Sequence, residues 1–241
     1  MKNQISFISI LLLLLALSAC KEEVEQPKLT YMPENTPEEA PEKIDSTEIV
    51  IADLPIHFDN TKYIIHPVGD FRIYEGRSKL SYGSSSVSRV SYTISNYNRN
   101  EITGYLNNLY FQHLDSLKTT PLTDQKMVIQ TATFLNTVAL KTKKEFIVYS
   151  IADKDTNRDG LIDFNDIKSL YISEISGANF IKLTPDLQEL IDWSVVDVNN
   201  RLYFRTIEDT NKNGDFDRND NLHYYFVNLN SDLTLNEYTP Y

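Results

Sequence analysis

Three stretches of this chain repeat one order of side chains, and that repetition limits the fold more than any local propensity does. Leu109-Tyr110-Phe111-Gln112-His113-Leu114 aligns with Leu170-Tyr171-Ile172-Ser173-Glu174-Ile175, and each is followed by a Leu-Thr pair, Leu122-Thr123 and Leu183-Thr184, at one shared offset of 61. A third copy, Tyr224-Tyr225-Phe226-Val227-Asn228-Leu229, runs into Tyr238-Thr239-Pro240, which echoes Leu183-Thr184-Pro185. The unit reads as strand, polar loop, strand, turn and short strand, at a spacing of roughly 55 to 60 residues.

The rest of the folded part fits that reading. Short apolar or alternating runs at 49–51, 63–65, 71–74, 87–94, 109–111, 146–151, 170–175, 202–207 and 224–229 are rich in Tyr, Phe, Ile and Val, as strands are. Helical periodicity is weak, and its best stretches, 123–135 and 186–193, read as short or irregular pieces. The run from Leu170 to Pro185, followed by Asp192-Trp193-Ser194, resembles the TolB-type β-propeller repeat, in which a strand, a Gly-containing hairpin, a Leu-Thr and a later Trp-Ser mark one blade. The Pro-Asp-Gly that follows Trp-Ser in that family is absent here, where Val195-Val196-Asp197 stands. The resemblance implies a mainly β fold of propeller-like, repeated antiparallel sheets. About three blade-like units are visible, whereas a closed propeller has four or more, so the array is expected to be open or incomplete. Residues 49–92 would supply a further partial blade or complete the last one.

Two acidic segments fall inside the repeats. In the first, oxygen-bearing side chains stand at Asp155, Asn157, Asp159, Asp163 and Asp166, with Gly160 at the sixth position, Leu161 at the seventh and Ile162 at the eighth. The second has Asp209, Asn211, Asn213, Gly214, Asp215, Phe216, Asp217 and Asp220 at the matching places. Both resemble the 12-residue calcium loop of EF-hand and dockerin-like proteins. Calcium is a hard cation that takes six to eight oxygens, and alternate residues of a tight turn can point theirs inward. The resemblance implies two calcium ions held by those side chains, with Leu161 and Asp215 giving backbone carbonyls. Glycine permits the sharp bend, and Ile162 and Phe216 are expected to pack downward. Neither loop has Glu at the twelfth position, and Asp166 and Asp220 make both more like dockerin. A calcium sensor needs amphipathic helices on both sides of its loop. Here 146–151 and 202–207 read as strands entering the loops, so the sites are expected to be structural, inserted in hairpins. Asn96, Asn98 and Asn100 mark a related hairpin without glycine, read as an eroded loop without metal.

The N-terminal residues supply an address. Lys2 gives a positive start, and 5–17 is a nearly unbroken apolar run, too short at about 13 residues for the ~20 that a spanning helix needs. Leu17-Ser18-Ala19-Cys20 resembles the lipobox of bacterial lipoproteins, which implies cleavage before Cys20 and acylation of its sulfur. More than one acyl chain makes such an anchor stable. Lys21-Glu22-Glu23-Val24-Glu25 is similar to the acidic export signal of surface lipoproteins, and it equally reads as the start of a Glu- and Pro-rich disordered tether. The organisation expected is a signal peptide over 1–19, a lipidated Cys20 with its tether over 20–48, and a β-rich repeat domain over 49–241.

A formal charge of −11 argues against nucleic acid as a partner, because a binder needs a basic stripe to displace counterions. Cys20 is the only cysteine, so disulfides cannot staple the domain. His57, His66, His113 and His223 have no spacing that suits zinc, the Ser-rich stretch 81–88 reads as a solvated loop, and no phosphate loop or nucleophile elbow occurs. Two functions remain. One is a calcium-binding lipoprotein of the outer membrane or cell surface, with a non-catalytic binding or scaffolding role toward an extracellular or periplasmic protein or glycan. The other is a calcium-stabilised extracellular polysaccharide hydrolase or lyase. Exposed aromatics beside unpaired carboxylates in one cleft would favour the second.

Overall fold

The stretch Phe146–Ala152 offers water no polar side, so a strand formed from it must be covered on both faces. The computed structural model describes residues 27–31, 50–70, 73–74, 89–90 and 93–241. The expected signal segment 1–19, Cys20, residues 21–26 and 32–49, and the stretch 81–88 lie outside the described residues. In chain order the strands are β1 (Val50–Ala52), β2 (Ile56–His57), β3 (Tyr63–Asp70), β4 (Ile73–Tyr74), β5 (Arg89–Val90), β6 (Ser95–Asn98), β7 (Glu101–His113) and β8 (Thr119–Pro121). They continue as β9 (Val128–Phe134), β10 (Phe146–Ala152), β11 (Lys168–Glu174), β12 (Ile181–Lys182), β13 (Gln188–Val196), β14 (Arg201–Glu208), β15 (Asn221–Asn228) and β16 (Asn236–Glu237). One helix, α1 (Asn136–Thr142), lies between β9 and β10. The protein is thus mainly β, and every described strand pairing is antiparallel.

All seven residues of β10 are buried, and β11 is buried from Ser169 to Ser173. The two strands pair from Phe146↔Glu174 to Ala152↔Lys168, and their side chains alternate between two cores. Ile147, Tyr149, Ile151 and Tyr171 enter one, with Ile65, Ile102, Leu109, Phe111, Ile129 and Phe134. Phe146, Val148, Leu170 and Ile172 enter the other, with Leu190, Leu202, Phe204, Tyr225 and Val227. The sheet containing β9 to β12 is therefore a middle layer. The four-stranded meander β13-β14-β15-β16 packs on one side of it, and the long strand β7 with β3 curls over the other.

The repeat seen in the sequence is realised as a backbone bond. Leu122 N–H donates to the Leu109 carbonyl at 2.8 Å, Leu183 N–H to the Leu170 carbonyl at 2.8 Å, and Tyr238 N–H to the Tyr224 carbonyl at 2.9 Å. Each bond starts or extends the pairing of a short strand with the central strand of its unit. β9 to β12 and β13 to β16 follow one another as two four-stranded meanders. The first unit departs from this plan: β7 pairs with β9 as well as with β3, β6 and β8, so the first two units share one continuous ten-stranded sheet.

Two expectations are corrected. Residues 123–135 hold strand β9, and 186–193 hold most of strand β13. In β9, Ile129, Ala132 and Phe134 face the first core, and a register shift opposite Ser150/Ile151 interrupts the alternation and disguises the strand in the sequence. α1 falls just after β9 and closes on Lys143, whose φ of 63° and N–H bond to the Ala139 carbonyl form a left-handed cap. Ile172 sits wholly buried in the second core. Ile172→Ala is expected to cost about 2–5 kcal/mol in denaturant unfolding; a loss below about 1 kcal/mol would show that the middle layer is not covered on that face.

Candidate metal centre

Both acidic segments are hairpin loops, one joining β10 to β11 beyond the pair Ala152↔Lys168 and the other joining β14 to β15 beyond Glu208↔Asn221. Strands enter and leave each, as expected. Such loops have many backbone N–H groups and no ladder to satisfy them, and the Asp and Asn side chains take that role in the same order twice. Asp155 accepts from Arg158 and Gly160 N–H at 2.6 and 2.9 Å, and Asp209 accepts from Asn213 and Gly214 N–H at 3.2 and 2.7 Å. Asn157 and Asn211 each accept the N–H two residues on, at 3.0 and 2.9 Å. Asp159 and Asn213 do the same at 2.9 Å, and Asp163 and Asp217 at 2.7 Å. Thr156 and Thr210 accept the N–H of Ile167 and Asn221, closing each loop at its base. The fourth residues, Arg158 and Lys212, have φ of 64° and 57°, and Gly160 and Gly214 both have φ of 89°. At the sixth position glycine is thus required by the backbone itself.

The twelfth residues behave in a way the sequence does not announce. Asp166 is fully buried, and its carboxylate accepts the N–H groups of Thr156 at 2.7 Å, Asp163 at 2.9 Å and Asn157 at 3.2 Å. Asp220 accepts from Thr210 and Asp217 N–H at 3.0 and 2.8 Å. Burial pushes the Asp166 carboxyl above the usual carboxylate range, against the pull of those donors. Asp166 and Asp220 therefore close the loops on themselves. Ile162 is half-buried, and the apolar residue that seats loop one is Ile167, 3% exposed; Leu161 is exposed and Phe216 half-buried.

The donors suit a hard cation in type and order, and their charge exceeds that of the basic residues in the same loops, Arg158 in one and Lys212 and Arg218 in the other. Eight carboxylates belong to the two loops: Asp155, Asp159, Asp163 and Asp166 in one, Asp209, Asp215, Asp217 and Asp220 in the other. Among the described residues no Lys or Arg forms an ion pair with any of them. Arg158, Lys212 and Arg218 stand within the loops themselves, and the lysines beside them are engaged elsewhere: Lys28 and Lys168 with Glu189 at 2.8 and 3.6 Å, Lys154 with Asp186 at 3.5 Å, and Lys182 with Asp153 at 2.8 Å. Among the described residues, no group of three or more His, Cys, Asp or Glu side chains is assembled that could hold a metal ion. The side chains are arranged around their own backbone. The Asn96, Asn98 and Asn100 hairpin is a tight turn, Asn98↔Glu101, with no loop to carry a third site.

Five residues of the expected tether lie against both loops. Thr30 N–H donates to the Thr156 carbonyl and its hydroxyl to the Asn157 carbonyl, both at 2.9 Å, while the Thr156 hydroxyl donates to the Lys28 carbonyl at 2.8 Å. Leu29 N–H reaches the Gly214 carbonyl and Tyr31 OH the Asp209 carbonyl, both at 3.3 Å. Leu29 is 4% exposed. Burial and the neighbouring Asp209 push the Tyr31 phenol up to about 12. Five bonds at ~1 kcal/mol each and one buried leucine at ~2 kcal/mol roughly offset the ~1–2 kcal/mol per residue of ordering this segment. The only sign of it in the sequence is that Leu29-Thr30-Tyr31 interrupts a Glu- and Pro-rich stretch.

The histidines serve locally: His57 bonds the Thr61 carbonyl, His66 bonds Gln112, His113 meets Tyr63 edge-on, and His223 lies between Glu208 and Glu237. No described helix is long and apolar enough to cross a membrane. Comparison with family models, curated proteins and solved structures gives no match to this chain.

Because Asp166 bonds the backbone, part of its worth should persist without an ion. Asp166→Asn turns an acceptor into a donor facing N–H groups and is expected to cost about 1–3 kcal/mol in chelator-containing buffer, with a smaller loss for the more exposed Asp220→Asn. Equal stability of Asp166→Asn and the parent in chelator would remove the loop-closing role.

Proposed function

We propose that this is a calcium-binding, lipid-anchored protein of the bacterial outer membrane or cell surface, with a non-catalytic binding or scaffolding role. The observation that carries the calcium reading is the duplication: two hairpin loops on successive units repeat one bonding pattern and hold eight carboxylates with no described Lys or Arg paired to them. In this reading Asp155, Asn157, Asp159, Asp163, Asp166 and the Leu161 carbonyl hold one ion. Asp209, Asn211, Asn213, Asp217, Asp220 and the Asp215 carbonyl hold the other. Each of these oxygens keeps a lone pair beyond the one its loop N–H takes, so uptake requires the side chains to converge on a common centre while the loop bonds persist, with Asp166 and Asp220 the least free to move. The ion supplies charge neutralisation and a cross-link within a loop, a structural role.

The fold in this reading is a propeller-like array, incomplete in its number of units. Its support is the succession of meanders, whose strands begin at 128, 146, 168 and 181 and then at 188, 201, 221 and 236, packed face to face. Cys20 and the apolar run before it support the lipid anchor and the envelope address.

A polysaccharide hydrolase or lyase would need aromatics and free carboxylates in one place. The rings of Tyr203, Tyr224, Phe226 and Tyr238 lie together on the outer face of the last sheet, opposite the buried Leu202, Phe204, Tyr225 and Val227. The carboxylate on that face, Asp192, is paired with the Arg205 guanidinium through two nitrogens. A separate cleft of about 630 Å³ carries Glu145, Glu174 and Asp232, with Phe146 as its one aromatic. This separation supports the binding reading, with the aromatic outer face as the surface offered to an extracellular protein or glycan.

Calorimetric titration of the full chain in detergent is expected to show about two calcium ions bound, and Asp155→Ala and Asp209→Ala are each expected to lose one. At free calcium a hundredfold above Kd, each site adds about 2.7 kcal/mol to stability and raises the melting temperature. Titration with neither heat nor a melting shift would leave the loops as polar hairpins.

A further inference from the structure

The bonds that residues 27–31 make to the loops use groups that only a folded loop presents. Four are carbonyls, those of Thr156, Asn157, Asp209 and Gly214, and the fifth is the Thr156 hydroxyl. Thr156 belongs to both systems: its hydroxyl donates to Lys28 and accepts from Ile167, and its N–H closes the loop on Asp166. Asp209 likewise turns its carboxylate to Asn213 and Gly214 N–H while its carbonyl takes the Tyr31 hydroxyl. At Gly214 a Cβ would stand 2.5 Å from the Leu29 carbonyl oxygen and 3.0 Å from Pro27 Cβ, so the absent side chain also makes the seat for the segment. One loop belongs to the middle sheet and the other to the outer sheet, and 27–31 touches both.

We infer that the two loops together form a calcium-dependent docking site for this chain's own residues 27–31. This rests on the calcium reading of the loops. An ion that draws the carboxylates of a loop to one centre fixes the turn, and the turn aims the carbonyls that the segment takes. In the absence of the ion, carboxylate repulsion loosens the same turn. Because ordering the segment nearly offsets its contacts, a modest change in loop stability shifts its docking. Reciprocity then requires that docking tighten ion binding by the same factor that the ion tightens docking.

The test measures amide hydrogen exchange of Leu29 and Thr30, both backbone donors to the loops, alongside calcium titration of the same full chain. Exchange at both amides is expected to slow about tenfold or more on saturation with calcium. Thr30→Pro, which deletes the N–H and the hydroxyl, is expected to weaken calcium binding about five- to fiftyfold. Tyr31→Phe, which deletes one hydroxyl bond and leaves the backbone intact, guards against misfolding of the proline variant and is expected to weaken binding about two- to threefold. Calcium uptake with unchanged exchange and unchanged affinity in both variants would overturn the docking proposal and leave the calcium sites standing. No calcium uptake by the parent chain would overturn the calcium reading and the proposal with it.

Discussion

A strand pair with both faces covered cannot satisfy its backbone with water, so β10 and β11 must bond to strands on either side and must turn at their end without leaving donors unpaired. The lateral requirement builds the ten-stranded sheet, through β9 on one side and β12 on the other. The end requirement builds loop one, where Asp155, Asn157, Asp159, Asp163 and Asp166 take the N–H groups that no ladder reaches. The two cores follow from the same strands, whose alternate residues point to opposite layers. The acidic loop is thus the terminus of the middle layer, and its chemistry is tied to the most deeply buried pair in the protein.

Much of this was legible in the sequence wherever the pattern is local. The runs 146–151 and 202–207 fall wholly inside β10 and β14, and 170–175 and 224–229 fall inside β11 and β15 but for Ile175 and Leu229, because β-branched and aromatic runs bounded by Asp, Asn and Gly carry their own signal. The duplicated loops were legible for the same reason, since Asn and Asp bond to backbone two residues on whatever surrounds them. What was not legible depends on tertiary contact. Strands β9 and β13 were hidden by register shifts at Ser150/Ile151 and Leu190/Asp192, which break a two-residue period. Burial of Asp166 and the choice of Ile167 over Ile162 as the seated residue follow from how the loop folds onto the sheet, which spacing cannot show. Residues 27–31 are too few to show any periodicity.

The two loops share a bonding pattern but differ in setting. Loop one has a wholly buried twelfth residue, whereas in loop two only Asp209 and Gly214 are buried and most other positions are exposed. Their strands lie in different sheets, joined across the second core by apolar contacts of β10 and β11 with β13, β14 and β15. With Cys20 as the only cysteine, no disulfide can bind those layers. The polar bridge made by Lys28, Leu29, Thr30 and Tyr31 is a second connection between them, at the rim where the apolar core ends.

The position of that bridge in the chain divides the distance to Cys20 unequally. Pro27 is seven steps along the chain from Cys20 and Val50 is thirty, so the reach to the domain is at most about 25 Å with the segment seated and about 100 Å with it free. If Cys20 carries the anchor, these are two leash lengths for one cargo. The volume the domain can sweep differs between them by about sixtyfold, and its local concentration near any fixed neighbour on the same surface changes inversely by a similar factor. With that anchor, a contact of five residues would set encounter frequency without altering a single atom of the domain's surface.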